Sequence, residues 1–186
     1  MKIFAAAFLA LALSIPGPAP AQPIPQTQDS KLGFLSFDLP AEQTGAFEVS
    51  FDATPLADKI DAFTGIAAAA PQIANDVAAM VRFNDAGTID ARNGGSFRAD
   101  QVLGYSANKT CRMRMVIDVA HKTYSVFVTP AGQPEVLLAK NYAFRSQQSG
   151  VKALGKLVLA GFKNANGFFM GSHRVAGVSL KPVAAP

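Results

Sequence analysis

Arg112 and Arg114 stand two apart in the stretch CRMRMVID, and Phe127 falls in the following TYSVFVTP. In an extended chain, alternate residues share a face, so the two guanidiniums occupy one surface. Met113, Met115 and Ile117 fill the other positions, as do Tyr124, Val126 and Val128 in the second stretch. Ala120-His121-Lys122 reads as the tight connection of a hairpin between them. Only a register that buries both apolar sets leaves Arg112, Arg114 and Asp118 beside Ser125, Phe127 and Thr129. A guanidinium offers a two-pronged fork to a carboxylate or sulfate, and an aromatic ring stacks on a sugar face. Arg112, Arg114 and Phe127 are therefore the leading ligand-binding candidates, followed by Tyr105, Tyr142 and Arg145. A solvated sheet face is the plainer alternative.

Other chemistries are poorly supplied. Beyond residue 21 the chain holds three Glu (Glu42, Glu48, Glu135), no Trp and one cysteine, Cys111. One cysteine cannot build a disulfide framework, and a cysteine-ligated zinc site has no basis. Cys111 shares the apolar face of its stretch and reads as a small buried hydrophobe. A serine hydrolase lacks the G-x-S-x-G elbow. A polysaccharide lyase would draw on Tyr142, Arg145, Gln147, His173 and Arg174, which are the right residue types for proton abstraction beside a neutralised carboxylate. No catalytic residue is assigned, and the chain reads as a binding module rather than an enzyme. Asp85 and Asp90 in DAGTID put two carboxylates near a hairpin, a thin metal candidate against the ordinary reading of a turn around Gly87.

The elements that must position these residues are strands. Phe47, Val49 and Phe51 alternate with Glu48, Ser50 and Asp52, as the two stretches above also alternate. Turn signals fall between such runs at Asn84-Asp85-Ala86-Gly87, Asn93-Gly94-Gly95 and Pro130-Ala131-Gly132, with Asn-Gly the strongest hairpin signal. Only Leu56–Phe63 and Gln72–Ala79 offer a turn or two of helix. Short strands with frequent turns and no fixed repeat predict an all-β antiparallel sandwich.

The sequence also carries an address. Met1-Lys2, an apolar run from Ile3 to Ile15, then Pro16 to Ala21 ending in Ala-x-Ala, form a cleavable export signal (1–21). The run is too short to span a bilayer, so no transmembrane segment is expected. Residues 22–30 read as a flexible leader, 31–180 as one domain and 181–186 as a disordered tail. Export predicts a secreted or periplasmic protein. With no nucleic-acid motif, it also argues against a nucleic-acid partner.

Charge is unevenly distributed. Residues 22–100 hold five basic and eleven acidic residues, while residues 101–186 hold eleven basic and two acidic. No acid follows Glu135. Such asymmetry points to an anionic partner, unless strands from the two halves lie side by side and neutralise one another.

The segments FEVSFDATPL, VRFNDAGTIDARNGGSF and CRMRMVIDVAHKTYSVFVTPAG resemble a laminin-G-like member of the concanavalin A-like lectin/glucanase group. In that group a strand ending in Asp, here Asp118, leads through a turn into a Tyr-Ser-Val strand, here Thr123 to Val128. NYAFRSQ (141–147) resembles a segment of secreted bacterial proteins of this kind, and the likeness covers about Phe47 to Gln147. It implies a jelly-roll β-sandwich, calcium on its loops in some members, and carbohydrate as ligand. The group's glucanases use E-x-D-x-x-E on one strand, which is absent here. The resulting expectation is a non-catalytic module for a glycan or an anionic polysaccharide of the cell envelope. An adhesion module for a protein partner is the alternative from another class, and the lyase is the third.

Overall fold

The period-two stretches are strands, and they pair into two antiparallel sheets in a computed structural model that describes residues 23–183. In chain order the strands are β1 (Thr27–Asp29), β2 (Gly33–Gln43), β3 (Ala46–Pro55), β4 (Ala62–Ala67), β5 (Val77–Phe83), β6 (Thr88–Asn93), β7 (Ser96–Gly104), β8 (Cys111–Asp118), β9 (Thr123–Pro130), β10 (Val136–Ala143), β11 (Leu154–Gly161) and β12 (His173–Pro182). Sheet I runs β1-β12-β3-β8-β9-β10 and sheet II runs β2-β11-β4-β5-β6-β7. This is a jelly-roll sandwich. Among the described residues, no helix is long and apolar enough to cross a membrane.

The main core lies between the sheets. Phe47, Val49, Phe51, Met113, Met115, Ile117, Tyr124, Val126 and Val128 point inward from sheet I. Ile66, Ala79, Val81, Phe83, Ile89, Leu157 and Leu159 meet them from sheet II. The hairpin register is the predicted one: Met113 lies opposite Val128, Arg114 opposite Phe127 and Met115 opposite Val126. Cys111 is buried in this core, and burial pushes its thiol pKa up.

Three expectations need correction. The helical turns reduce to a single 3-10 turn at Ala74–Asp76, and Ala62–Ala67 is a strand. Every residue of β4 is buried, because a second apolar cluster covers its outer side, so its sequence shows no alternation. The supposed flexible leader is held from Thr27 onward: β1 pairs with β12, and Arg174 grips Asp29 through two bonds of 2.6 and 2.9 Å. The supposed tail is ordered through Pro182, with Lys181 opposite Glu48 and Pro182 opposite Phe47. The export segment 1–21 lies outside the described residues.

Candidate functional site

Each sheet turns one face away from the core. On sheet I this outer face carries the predicted residues, and the structure does bring Arg112, Arg114 and Phe127 together there. Arg114 lies over the Phe127 ring at 3.7 Å from its centroid. All three of its nitrogens donate to carboxylates: Nε and Nη2 to Glu135 at 3.1 and 2.7 Å, and Nη1 to Glu48 at 3.2 Å. The hydrogen bond to Glu135, against burial and with Glu48 added, raises the guanidinium's pKa. Arg112 donates to Asp52 at 3.2 Å, Ser50 at 2.7 Å and the Gly177 carbonyl at 3.2 Å. Lys181 adds a second cation to Glu48 at 3.1 Å. The ring face that would stack on a sugar is occupied, and the forks that would hold an anion already hold one. A hollow of about 310 Å³ continues this face past Val116, Ser125, Asn141, Asp118 and His121, where His121 Nδ1 meets Asp118 at 2.7 Å.

These contacts also explain the charge asymmetry. The acid-rich β3 lies between β8 and β12 from the basic half, so Asp52–Arg112, Glu48–Arg114 and Glu48–Lys181 neutralise locally. Asp29–Arg174 and Asp38–Lys156 do the same elsewhere.

The outer face of sheet II differs. Register aligns Ala160, Phe63, Arg82 and Asp90 in one row across β11, β4, β5 and β6. Val158, Gly65 and Met80 form the next row. A Cβ at Gly65 would lie 2.6 Å from Val77 Cγ1 and 2.7 Å from the Ala79 carbonyl, so only glycine fits there. Phe63, Val77, Met80, Val158 and Ala160 form an apolar cluster separate from the main core, edged by half-buried Phe34, Phe97 and Phe162. The rings of Phe34, Phe63 and Phe162 stand 5.5 to 6.3 Å apart.

Beside this aromatic floor lie guanidiniums. The two-residue turn Gly94–Gly95 sets Arg92 opposite Phe97. The turn centres one residue later than the Asn-Gly reading placed it: Asn93 ends β6, and Gly94 takes the positive φ of 53°. Arg82 lies over the Phe97 ring at 3.6 Å, and Arg92 lies over it at 5.0 Å. Asp90 holds Arg82 at 2.9 and 2.8 Å, and Asp61 holds it at 3.3 Å. Burial opposes the charged form of Arg82, but Asp90 and Asp61 more than offset it, and its pKa is raised. Among the described residues, Arg92 donates only to the carbonyls of Gly94 and Gly95. Burial lowers its pKa, as does the charge of Arg82. Arg145 follows β10, where its backbone N–H bonds the Ala78 carbonyl at 2.9 Å. Its Nε is buried without a partner, and burial and Arg92 both lower its pKa.

The remaining candidates serve structure. Tyr105 donates to the Asn84 carbonyl at 2.7 Å, and burial pushes its pKa up to about 12. Tyr142 donates to Asp100 at 2.8 Å, and burial together with that carboxylate pushes it up to about 12. Asp90 is committed to Arg82 and Asn84, while Asp85 is exposed at the turn beyond. Among the described residues no three carboxylate, histidine or cysteine groups converge. Sequence reasoning found Arg145 but missed Arg82, Arg92 and Phe97. The signal was the Gly94–Gly95 turn, which alone dictates that Arg92 faces Phe97.

This two-sheet arrangement is the fold of the concanavalin A-like lectin/glucanase domains. It matches lectin II from Ulex europaeus with a TM-score of 0.53 at 10% identity, over 86% of this chain and 95% of the lectin. It matches a GH131 beta-glucanase catalytic domain from Podospora anserina with a TM-score of 0.53 at 10% identity, over 86% of this chain and 72% of that domain. No family model matches the chain. In sequence it is similar to a gellan lyase from a Bacillus species, 37% identical over 111 residues, which is 58% of this chain. The match spans only 4% of that lyase's length.

Proposed function

We propose that this chain is an exported, non-catalytic module that binds polysaccharide, acidic polymers above neutral ones, across the outer face of sheet II. The observation that carries this is the make-up of that face. The half-buried rings of Phe34, Phe162 and Phe97, packed over the buried Phe63, run into guanidiniums that no carboxylate among the described residues matches. Apolar rings give sugar faces a surface to stack on, and guanidiniums give orientation. Likeness to a small part of a gellan lyase supports a module that accompanies polysaccharide chemistry rather than performs it. Its residues 1–21 support export.

The lyase reading loses its proton-transfer groups. Tyr142 is tied to Asp100, and His173 is 1% exposed and bonded to Thr64 at 2.8 Å. Of the three tyrosines and two histidines, only His121 is exposed, and it lies on sheet I. Electrophoresis of the purified protein through native gels cast with gellan, polygalacturonate or dextran tests the proposal. Retardation is expected in the acidic polymers and less in dextran. Free migration in all three would overturn glycan binding, and growth of ultraviolet absorbance from an unsaturated product would overturn the non-catalytic part.

A further inference from the structure

We infer that Arg92 and Arg145 together form a subsite for the carboxylate of an acidic sugar, at the end of sheet II where the Gly94–Gly95 turn meets the connection from β10 to β11. The inference rests on the glycan-binding reading above and adds the group recognised and the atoms that recognise it.

The turn and the connection are fixed to one another. Gly94 N–H donates to the Ala143 carbonyl at 3.1 Å, and Ala143 N–H donates to the Asn93 side chain at 3.1 Å. The Gln148 side chain donates to the Asn75 carbonyl at 2.8 Å, tying the same connection to the segment before β5. Both arginines therefore stand on backbone that is already anchored, and neither has to order a loop when a ligand arrives.

The two guanidiniums are unlike the others in the molecule. The chain has seven arginines, and Arg82, Arg112, Arg114 and Arg174 each hold a carboxylate. Arg98 is exposed to solvent beside Ser96. Arg92 and Arg145 are half-buried, repel each other, and have no carboxylate in contact among the described residues. A folded chain seldom keeps like charges together in a half-buried place without a counter-charge, because desolvation and repulsion both oppose it. The matching counter-charge is a planar oxyanion. Arg92 spends Nε and Nη2 on carbonyls, and Arg145 spends no side-chain donor. Together they offer a carboxylate the N–H groups of Arg92 Nη1 and of Arg145 Nη1 and Nη2, while the Arg145 Nε behind them stays buried and unmatched. The Phe97 ring, covered by Arg82 at 3.6 Å and approached by Arg92 at 5.0 Å, joins the apolar patch to this point, so a sugar bound beside it would carry its carboxylate toward the pair.

Binding of polygalacturonate, its fully methyl-esterified counterpart and dextran by the full purified protein tests this, with Arg92→Gln, Arg145→Gln and Lys109→Gln variants alongside. Lys109 is exposed near the opposite end of β6, in the connection anchored to Gly87 through Tyr105, and its variant removes the same charge elsewhere. The parent should prefer the free acid to the ester by about tenfold or more, and either arginine variant should lose that preference. The lysine variant should stay within about twofold of the parent. The unfolding midpoint of Arg145→Gln should not fall, since its side chain holds no internal bond; a drop of several degrees would make the guanidinium structural and overturn the subsite. Equal losses in all three variants would reduce the effect to net charge and also overturn it. A parent that binds these polymers without preferring the free acid would remove the subsite and leave glycan binding standing. A parent that binds none would remove the glycan-binding reading, and the subsite with it.

Discussion

Both sheets set a guanidinium over a phenylalanine ring on the outer face: Arg114 on Phe127 at 3.7 Å and Arg82 on Phe97 at 3.6 Å. On sheet I the pattern stops there, with each arginine held by acids and the ring covered. On sheet II it continues into Arg92 and Arg145, which no acid holds. Topology makes the difference. Sheet I interleaves the two halves of the chain, so acid-rich β3 falls between basic β8 and β12. Sheet II runs β4 to β7 consecutively, and the segment that closes against its β6–β7 turn comes from after Glu135, where the sequence has no acid. The ring is covered on both sheets, so what opens an arginine to a ligand is a fork not already spent on carboxylates.

The comparison holds while the core beneath both faces is intact, and acid is the largest threat to it. His173 is fully buried, its Nε2 meets Thr64, its Nδ1 has no partner, and burial pushes its pKa down to about 3. The unfolded chain takes up this proton near the ordinary histidine value while the folded one refuses it. Stability is therefore complete above pH ~6.5 and is lost as pH falls toward ~3, at about 1.4 kcal/mol per unit. Urea midpoints should record a loss of about 3 kcal/mol by pH ~4, and His173→Gln should flatten that slope. The carboxylates on the sheet I side with lowered pKa values, Asp29, Asp118 and Glu135, contribute at neutral pH and fail only below the ordinary carboxylate range. A slope between pH 6.5 and 4.5 that survives in His173→Gln would assign the acid sensitivity elsewhere.

The next test breaks sheet I's neutrality at its centre. Glu48 is 7% exposed and holds both Arg114 and Lys181. Glu48→Gln leaves two cations facing a neutral amide. With the exposure of Lys181 limiting the effect, it should cost about 2 kcal/mol in urea unfolding. An unchanged midpoint would mean that these ion pairs are idle and that the two faces do not differ in kind.

The sequence made sheet I far more legible than sheet II. Alternation in β3, β8 and β9 is clean because one side of each strand meets the core while the other carries charge on β3 and β8 and Thr123, Ser125, Phe127 and Thr129 on β9. That fixed the hairpin register and put Arg112, Arg114 and Phe127 on one face. Their neutralisation was not visible, because it depends on β3 and β12 arriving beside β8 from 60 or more residues away. Sheet II hides its strands: β4 is buried on both sides, and β5 alternates only at Arg82. Its site was nevertheless partly readable. A two-residue turn at Gly94–Gly95 sets Asn93 opposite Ser96 and Arg92 opposite Phe97 without any tertiary knowledge. What no local rule supplies is Arg145, which reaches the pair through a connection about 50 residues further along.

Arg114→Gln asks whether the sheet I arginines do anything beyond holding that sheet together. Removing the guanidinium strands Glu135 and takes one of two cations from Glu48. Because the pair with Glu135 is largely in solvent, the cost should be about 1 kcal/mol. Any change in polygalacturonate affinity should remain well below that of the Arg145 variant. A comparable loss would return the ligand to sheet I and dissolve the distinction.

The smallest effect is the most diagnostic, because it carries the opposite sign. Arg145 keeps a half-buried charge beside Arg92 with Nε unmatched, so in the free protein its guanidinium is a cost to the fold. Arg145→Gln removes the repulsion and substitutes a neutral group that needs less hydration. Discounted for the part of the side chain that water reaches, the gain should be about 0.5 kcal/mol, a rise of a degree or two in Tm. Adding salt should narrow the gap, since it screens the repulsion in the parent but has less to screen in the variant. Saturating polygalacturonate should reverse the order, because ligand stabilises only the form that binds it. Structural arginines lower Tm when removed, with or without ligand. A site held open at the expense of the fold gives a crossing instead: the variant is more stable alone, and the parent is more stable with the acid bound.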